Sequence, residues 1–226
     1  MAYEMRLPEA IDNKLLCPFQ YFGISDTIDL SEVRWTRNGY DESELEKVYV
    51  FDTQKAKTRA QDVIRNTIKY VSDIDETKGL GFCVGVEHAK FMAKEFNDAG
   101  IPSIYLTGNS DDDFRKNAKQ RLVSGEIKFI FTVDLFNEGV DIPEINTVLF
   151  LRPTKSLTIF IQQLGRGLRI CKDKECLTVI DLIGQANQNY KFSEKFRGLI
   201  GNTKKSVEHY VKNGFDSLPR GCYINL

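Results

Sequence analysis

The α/β character of the chain is clearest in the stretch Gly79-Leu-Gly-Phe-Cys-Val84 and in the segment after it, Val86 to Ala99. The first is a short apolar run, which is typical of a strand buried on both faces. The second repeats apolar residues at helical spacing and is followed by Gly100-Ile-Pro102, which favours the end of a helix. A buried strand followed by an amphipathic helix predicts one unit of an α/β domain.

The same alternation continues along the chain. Further apolar runs occupy Ser103 to Thr107, Ile127 to Thr132, Thr147 to Leu151 and Leu177 to Leu182, and helical spacing recurs at Asp111 to Val123 and Leu157 to Leu168. The three aspartates at 111 to 113 suit the positive end of a helix better than a metal site, so no metal ligands are predicted. The pattern predicts an α/β fold with a doubly wound, mostly parallel sheet flanked by helices.

The first 78 residues are less regular. Short strands are expected at Pro18 to Ile24 and Ile28 to Val33, with a short helix at Glu42 to Val48. A long amphipathic helix is expected from Thr53 to Val71. The tail after Gln185 is expected to be helical and to pack on the core.

Composition limits the class of protein. The chain has 226 residues, enough for one substantial core, and a net charge of −1, so no general basic field indicates nucleic acid. Its five cysteines show no metal-ligand spacing. A disulfide between Cys171 and Cys176 is the alternative to free thiols. Without a signal peptide or a spanning apolar run, we expect a cytoplasmic protein with reduced thiols and no membrane partner.

The run Gln162-Gln-Leu-Gly-Arg-Gly-Leu-Arg169 places two arginines three residues apart. That spacing puts both guanidinium groups on one face of a helix, and each offers a fork of donors that matches phosphate oxygens. Such arginines can stabilise charge on a phosphoryl group in transfer. A basic, solvated helix end is the plain alternative.

A second informative run, Thr132-Val-Asp-Leu-Phe-Asn-Glu-Gly139-Val-Asp141-Ile-Pro143, begins where the apolar run Ile127 to Phe131 ends. Ligands of open α/β sheets bind beyond the carboxyl ends of the strands. We therefore expect the Thr132 hydroxyl, the Gly139 backbone and the Asp141 carboxylate at that edge. Asp141 could instead cap the turn before Pro143.

These two runs resemble motifs V and VI of the superfamily-two helicases. Two further segments resemble motif IV and the segment that follows it in that family, namely Gly81 to Val84 with Glu87-His88-Ala89, and Leu106-Thr107-Gly108 with Arg115. The motifs occur in the family's order between about Gly79 and Leu182. The resemblance identifies a second RecA-like motor domain, of the P-loop NTPase type but without its own phosphate loop.

The resemblance implies a role for each matching residue. The catalytic set comprises Arg166, Arg169 and Gln162. Arg166 would reach the γ-phosphate of ATP, Arg169 would assist it, and Gln162 would couple the bound nucleotide to the nucleic-acid strand. The nucleotide set is Gly139 and Asp141, the latter toward the ribose. The nucleic-acid set is Thr132, Thr107 and Gly108. His88 could cap a helix or touch a phosphate, and an exposed histidine without a special role is the plain alternative. Trp35 and Tyr40 either pack on the motor surface or stack on a base.

Two family elements are missing from the sequence. It contains neither a GxxxxGK[ST] loop nor an Asp-Glu-x-His or Asp-Glu-x-Asp run. In the family these belong to the first motor domain, which would hold most of the Mg²⁺ that accompanies ATP. We therefore expect residues 1–52 to be a linker or N-terminal extension from that domain, and residues 53–226 to be the helicase C-terminal domain with its helical tail. The partner would be the first domain of the same polypeptide, and this chain alone would be inactive.

Departures from the family pattern narrow the branch. Gln162-Gln163 stands where the DEAD-box branch has His-Arg, and Leu168 stands where that branch has Gly. This favours the DNA translocases, repair helicases and restriction-enzyme motors, and so DNA over RNA as the partner. Two other classes stay open. One is a non-catalytic nucleic-acid or protein-binding module with a motor fold. The other is an α/β enzyme with a cofactor loop, for which Val84-Gly85-Val86 is too poor in glycine.

Overall fold

The computed structural model describes residues 6–37, 39–50, 53–133, 142–154, 157–185, 196, 199, 215 and 218–226. In chain order the described elements are α1 (Leu7–Asp12), β1 (Phe19–Asp29), β2 (Trp35–Thr36), β3 (Gly39–Tyr40), α2 (Glu42–Val50), α3 (Thr53–Tyr70), β4 (Gly79–Phe82), α4 (Val86–Asp98), β5 (Ser103–Leu106), α5 (Asp112–Val123), β6 (Phe129–Thr132), β7 (Thr147–Phe150), α6 (Leu157–Gly167), β8 (Leu177–Gln185) and β9 (Tyr223–Asn225).

Seven of these strands form one sheet in the order β5-β6-β4-β7-β8-β1-β9. Each neighbouring pair is parallel. The short strands β2 and β3 form a separate antiparallel pair. The predicted doubly wound α/β fold is confirmed, and the predicted strands and helices between Gly79 and Gln185 lie within a few residues of the observed ones.

Helices cover both faces of the sheet. On one face α3 and α4 enclose a core in which Phe96 lies edge-on to the rings of Phe129 and Phe131, with centroids 5.1 and 4.8 Å away. Gly79 and Gly81 make room for those two rings, since a Cβ atom at either position would lie 2.1 to 2.3 Å from one of them. On the other face α1, α5 and α6 pack on a second core. Burial on both faces explains why the central strands are apolar runs without alternation.

The first strand of the sheet lies inside the segment predicted as a linker. β1 pairs with β8 from Phe19↔Leu177 to Ser25↔Ile183, shifts register, and pairs again at Asp29↔Gln185. The first predicted strand, Pro18 to Ile24, is thus part of one strand that continues to Asp29, whereas the second, predicted at Ile28 to Val33, is wrong beyond Asp29. Its Asp26 carboxylate accepts from Nε of Arg59 on α3 at 2.9 Å, and both side chains are 3 % exposed. Residues 1–52 therefore contribute a strand to this sheet. Their connection to a preceding domain stays a prediction.

His88 is not exposed as the sequence suggested. It is fully buried on α4, with its ring stacked on Tyr49 at a centroid distance of 5.0 Å. Nε2 of His88 lies 3.4 Å from a terminal nitrogen of Arg59. Burial lowers the pKa of His88 well below its ordinary value, and the charges of Arg59 and Arg152 lower it further. His88 is thus a neutral core residue.

Several smaller expectations can be compared with the structure. Trp35 and Tyr40 pack edge-on, with ring centroids 4.9 Å apart. Asp111 caps α5 by accepting from the N–H of Phe114 at 2.6 Å. All five cysteines are free thiols. Most of the predicted helical tail lies outside the described residues, although Phe196 and Leu199 are helical and buried. The prediction is wrong at its end, where residues 223–225 form the strand β9 beside β1. No described helix combines the length and the apolar character needed to cross a bilayer.

Candidate functional site

The helix α6 carries the predicted catalytic residues. Its buried side is formed by Phe160, Gln163, Leu164 and Gly167. Gln162 is exposed and Arg166 is half-buried, and because they are four residues apart they lie on one face of the helix. Arg169 is exposed and follows the helix end by two residues. The three predicted catalytic residues therefore belong to the outward side of α6 and the turn after it.

The end of α6 lies at the amino edge of the sheet, the edge where the parallel strands begin. A Cβ atom on Gly167 would lie 2.5 Å from the side chain of Leu177, the first residue of β8. The carbonyl of Leu168 accepts from the N–H of Cys17, just before β1, at 2.8 Å. Arg166 and Arg169 flank these contacts, so both arginines belong to the amino edge.

The segment that follows Asp141 meets the same helix end. Pro143 and Ile145 precede β7, and their carbonyls accept from Nζ of Lys174 at 2.7 and 3.0 Å. The same Nζ donates to the carbonyl of Gly167 at 3.0 Å. Gly139 and Asp141, the two predicted nucleotide residues, lie outside the described residues.

The predicted nucleic-acid residues lie at the opposite, carboxyl edge of the sheet. Thr132 is the last residue of β6 and pairs with Leu106, the last residue of β5, which Thr107 and Gly108 follow. Thr132 is fully buried, and its Oγ1 has no hydrogen-bond partner among the described residues. The N–H of Thr107 donates to Ser110 Oγ at 3.0 Å, and the Gly108 carbonyl accepts from Arg115 at 2.8 Å.

An open depression of about 540 Å³ lies beside Gly108 at this edge. Its lining comprises Glu42, Ser43, Glu46, Val84, Gly85, Val86, Gly108 and Val133. Oε1 of Glu46 accepts from the backbone N–H groups of Glu87 and His88, at 3.0 and 3.4 Å. A carboxylate of the protein therefore already stabilises the start of α4, where the helix dipole favours an anion. Two glutamates line the depression, and no lysine or arginine does so within the described ranges.

The predicted site residues that the structure describes thus form two sets at opposite edges of one sheet, with Gln162, Arg166 and Arg169 on α6 and its amino-edge end, and Thr132, Thr107 and Gly108 at the carboxyl edge. β6 has four residues, so the two edges are about 13 Å apart. Sequence reasoning gave no role to Lys174, Arg59 or Glu46. The run Lys172-Asp-Lys-Glu175 reads as a solvated turn, so no local signal distinguishes Lys174. In the described part of the chain, no group of three or more His, Cys, Asp or Glu side chains is arranged to hold a metal.

Comparison with known proteins agrees with this geometry. Residues 61–171 match the family described as the helicase conserved C-terminal domain. The chain is 31 % identical over 188 residues to IRC3 of Saccharomyces cerevisiae, an ATP-dependent helicase by its name, covering 83 % of this chain and 26 % of IRC3. It is 32 % identical over 127 residues to the EcoKI type I restriction endonuclease subunit of Escherichia coli, covering 49 % and 10 % of the two chains. The chain therefore spans about a quarter of IRC3 and a tenth of the restriction subunit.

Solved structures show the same fold. The type ISP restriction-modification enzyme LlaBIII bound to DNA matches with a TM-score of 0.64 at 14 % identity, over 98 % of this chain and 16 % of the enzyme. The Escherichia coli DEAD-box protein SrmB matches with a TM-score of 0.51 at 17 % identity, over 74 % of this chain and 78 % of that chain. At these identities the matches concern the architecture and not the chemistry.

Proposed function

The chain belongs to the superfamily-two helicases, as their C-terminal RecA-like motor domain, and on this premise we propose that it supplies arginine fingers to an ATP site completed by a preceding motor domain. The observation that supports this proposal is that Gln162 and Arg166 lie on the outward side of α6, whose inner side is packed in the core. A half-buried guanidinium on a rigid helix needs little reorganisation to meet a phosphate.

Arg166 is assigned to the γ-phosphate and Arg169 to the same phosphates. When bound between two domains, ATP with Mg²⁺ supplies the phosphoryl group to be transferred. The residues of this chain orient that group and stabilise its charge, and Asp141 and Gly139 are assigned to the nucleotide. Arginine fingers contribute about 10³ to 10⁵ in turnover. A domain without the phosphate loop has no bound triphosphate to act on, so we expect the 226-residue chain alone to be inactive.

A nucleic-acid strand is assigned to the carboxyl edge. The proposed contacts are the hydroxyl of Thr107 and the N–H of Gly108, which would fix strand phosphates without reading sequence. Thr132 is proposed with them, but it is fully buried in this structure, so its hydroxyl would meet a phosphate only after a local rearrangement of that edge. The Thr107 N–H already serves Ser110, so Thr107 contributes its hydroxyl. DNA is proposed over RNA. The relative that supports this is a restriction endonuclease subunit by name.

The test is ATP hydrolysis by the intact polypeptide without nucleic acid and with single-stranded DNA, duplex DNA or RNA. Arg166→Ala should lower kcat by about 10³ or more and leave the dissociation constant for nucleic acid unchanged. Arg65→Ala is the matched control, because Arg65 is a 75 %-exposed arginine on α3 that pairs with Asp62 of the same helix. Unaltered turnover in Arg166→Ala would refute the finger assignment. Absence of hydrolysis with every nucleic acid would favour the non-catalytic binding module, and stimulation by RNA alone would overturn the choice of DNA.

A further inference from the structure

One ammonium group joins two segments, 143–145 and the end of α6 at Gly167, that lie 22 to 24 residues apart in the sequence. Nζ of Lys174 donates to the carbonyls of Pro143 at 2.7 Å, Ile145 at 3.0 Å and Gly167 at 3.0 Å. Pro143 follows Asp141 by two residues, and Gly167 follows Arg166 directly. The two stretches assigned to the nucleotide are thus held together next to their proposed functional residues.

Lys174 contacts more of the chain than a lysine that only caps a helix. A lysine near a helix C-terminus commonly bonds the last carbonyls and complements the dipole, and Gly167 is the last residue of α6. Here two of the three acceptors belong to a different segment. An ammonium group has three donors, and all three are used. Desolvation lowers the pKa of Lys174, and the carbonyl oxygens offset part of that cost by solvating the charge in place of water.

A second contact holds the same helix end. The carbonyl of Gly167 also accepts from Sγ of Cys17 at 3.6 Å, and the N–H of Cys17 donates to Leu168. Cys17 thus ties the end of α6 to β1, and Lys174 ties it to the segment before β7. Removing Lys174 would leave α6 packed on the sheet but would release its end from Pro143 and Ile145.

We propose that Lys174 is a positioning residue that holds the Arg166 end of α6 against the segment 143–145 before β7, and so acts on phosphoryl transfer through Arg166. This inference rests on the proposed function. Misplacing a reacting group by about 1 Å can cost about 10²-fold in rate. The loss of this tether should therefore appear in the chemical step and not in binding.

The experiment measures kcat, KM for ATP and the dissociation constant for nucleic acid in the intact polypeptide carrying Lys174→Met. We expect kcat to fall roughly 10- to 100-fold with both binding measures within about twofold of the parent. Lys172→Met is the matched control, because Lys172 is an exposed lysine in the same turn. Lys174→Arg keeps a positive charge at the helix end, but no one nitrogen of a guanidinium can donate to all three carbonyls. This variant should also have a lower kcat. Turnover equal to that of the parent would show that a positive charge at the helix end suffices and would overturn the proposal.

A double variant separates positioning from general loss of structure. If Lys174 acts through Arg166, Lys174→Met in an Arg166→Ala background should change kcat by less than about twofold. Equal losses in both backgrounds would overturn the proposal. An Arg166→Ala polypeptide with full turnover would overturn the proposed finger and this inference together. A normal effect of Arg166→Ala beside a silent Lys174→Met would overturn this inference alone. Should Lys174→Met fail to fold, the same cycle is run with Lys174→Arg.

Discussion

Replacing Asp26 with alanine would leave the Arg59 guanidinium buried without its carboxylate. Arg59 also donates to the Leu151 carbonyl at 2.9 Å and lies 4.2 Å from the centroid of the Tyr49 ring. The guanidinium therefore joins α3 to β1, to the end of β7 and to α2. Both members of the ion pair are 3 % exposed, so water does not screen the pair.

Breaking a buried pair by removing one partner costs about 3 to 5 kcal/mol, because the remaining charge stays desolvated. The Leu151 carbonyl and the Tyr49 ring continue to stabilise the cation, so we expect a loss of about 3 kcal/mol for Asp26→Ala. A domain of ordinary stability has about 5 to 15 kcal/mol in total. With a urea m-value of about 3 kcal/mol/M, the unfolding midpoint should fall by roughly 1 M.

The assay is urea unfolding of the 226-residue chain, followed by circular dichroism and by the fluorescence of Trp35, the single tryptophan. Asp62→Ala is the matched control, because Asp62 pairs with Arg65 on the surface of the same helix, where such pairs contribute about 0 to 1 kcal/mol. Adding Arg59→Met to Asp26→Ala should restore part of the loss by removing the unpaired charge. The reasoning is refuted if Asp26→Ala costs no more than Asp62→Ala, or if Arg59→Met deepens its loss.

Three further perturbations test other parts of the structure. The pKa of buried His88 lies below its ordinary value of 6.5, so the unfolded chain takes up a proton before the folded chain as the pH falls. This group therefore lowers the free energy of unfolding by up to about 1.4 kcal/mol per pH unit below pH 6.5. The variant His88→Gln should make the free energy of unfolding depend less steeply on pH between about 6.5 and 5.5, and an unchanged slope would contradict a neutral His88. Gly167→Ala should lower the free energy of unfolding by about 1 to 3 kcal/mol, because the added Cβ would lie 2.5 Å from Leu177. Gly165→Ala meets no atom within 4 Å and should stabilise the helix by up to about 1 kcal/mol. Equal melting temperatures of the two variants would contradict both expectations. Asp111→Ala should cost about 1 kcal/mol in urea unfolding through loss of the α5 cap, and no change would show that the cap is not needed.

The sequence predicted the sheet well where strands are buried on both faces. Local pattern suffices there, since an uninterrupted apolar run between two helices admits few other interpretations. β1 shows the limit. Ser25, Asp26 and Thr27 are polar, so they read as a break between two short strands. In the structure β1 passes through a shift of register at these residues, where Arg59, 33 residues away, pairs with Asp26. A polar residue in a buried strand can be predicted only when its partner is known.

The predicted site shows a different limit. Motif resemblance selected Arg166, Thr132 and Thr107, but it did not indicate the sheet edge to which each belongs. That depends on lengths: α6 has 11 residues and spans about 16 Å, while the four-residue strand β6 spans about 13 Å. A helix that follows a strand and runs back along the sheet therefore carries its last residues to the amino edge. The sequence did not indicate Lys174 because its three acceptors are backbone carbonyls, which every residue has. No particular side chain in the sequence marks them as its partners.

The two-edge arrangement restricts how a nucleotide could move a strand under the proposed function. Arg166 and Thr132 are attached to one parallel sheet whose central strands are buried on both faces, so neither can shift relative to the other without breaking the core. Displacement must then arise as rigid-body motion of this domain against the preceding one. Residues 1–52 enter the same sheet through β1 and are fastened at Arg59, so a force applied there would act on the whole sheet. Weakening the Arg59–Asp26 pair should therefore reduce coupling between ATP hydrolysis and movement on nucleic acid more than it reduces ATP hydrolysis itself. The measurement is the amount of ATP consumed per distance moved by the Asp26→Asn variant. If ATP hydrolysis and movement fall by the same factor, that ratio is unchanged and the sheet does not transmit the force.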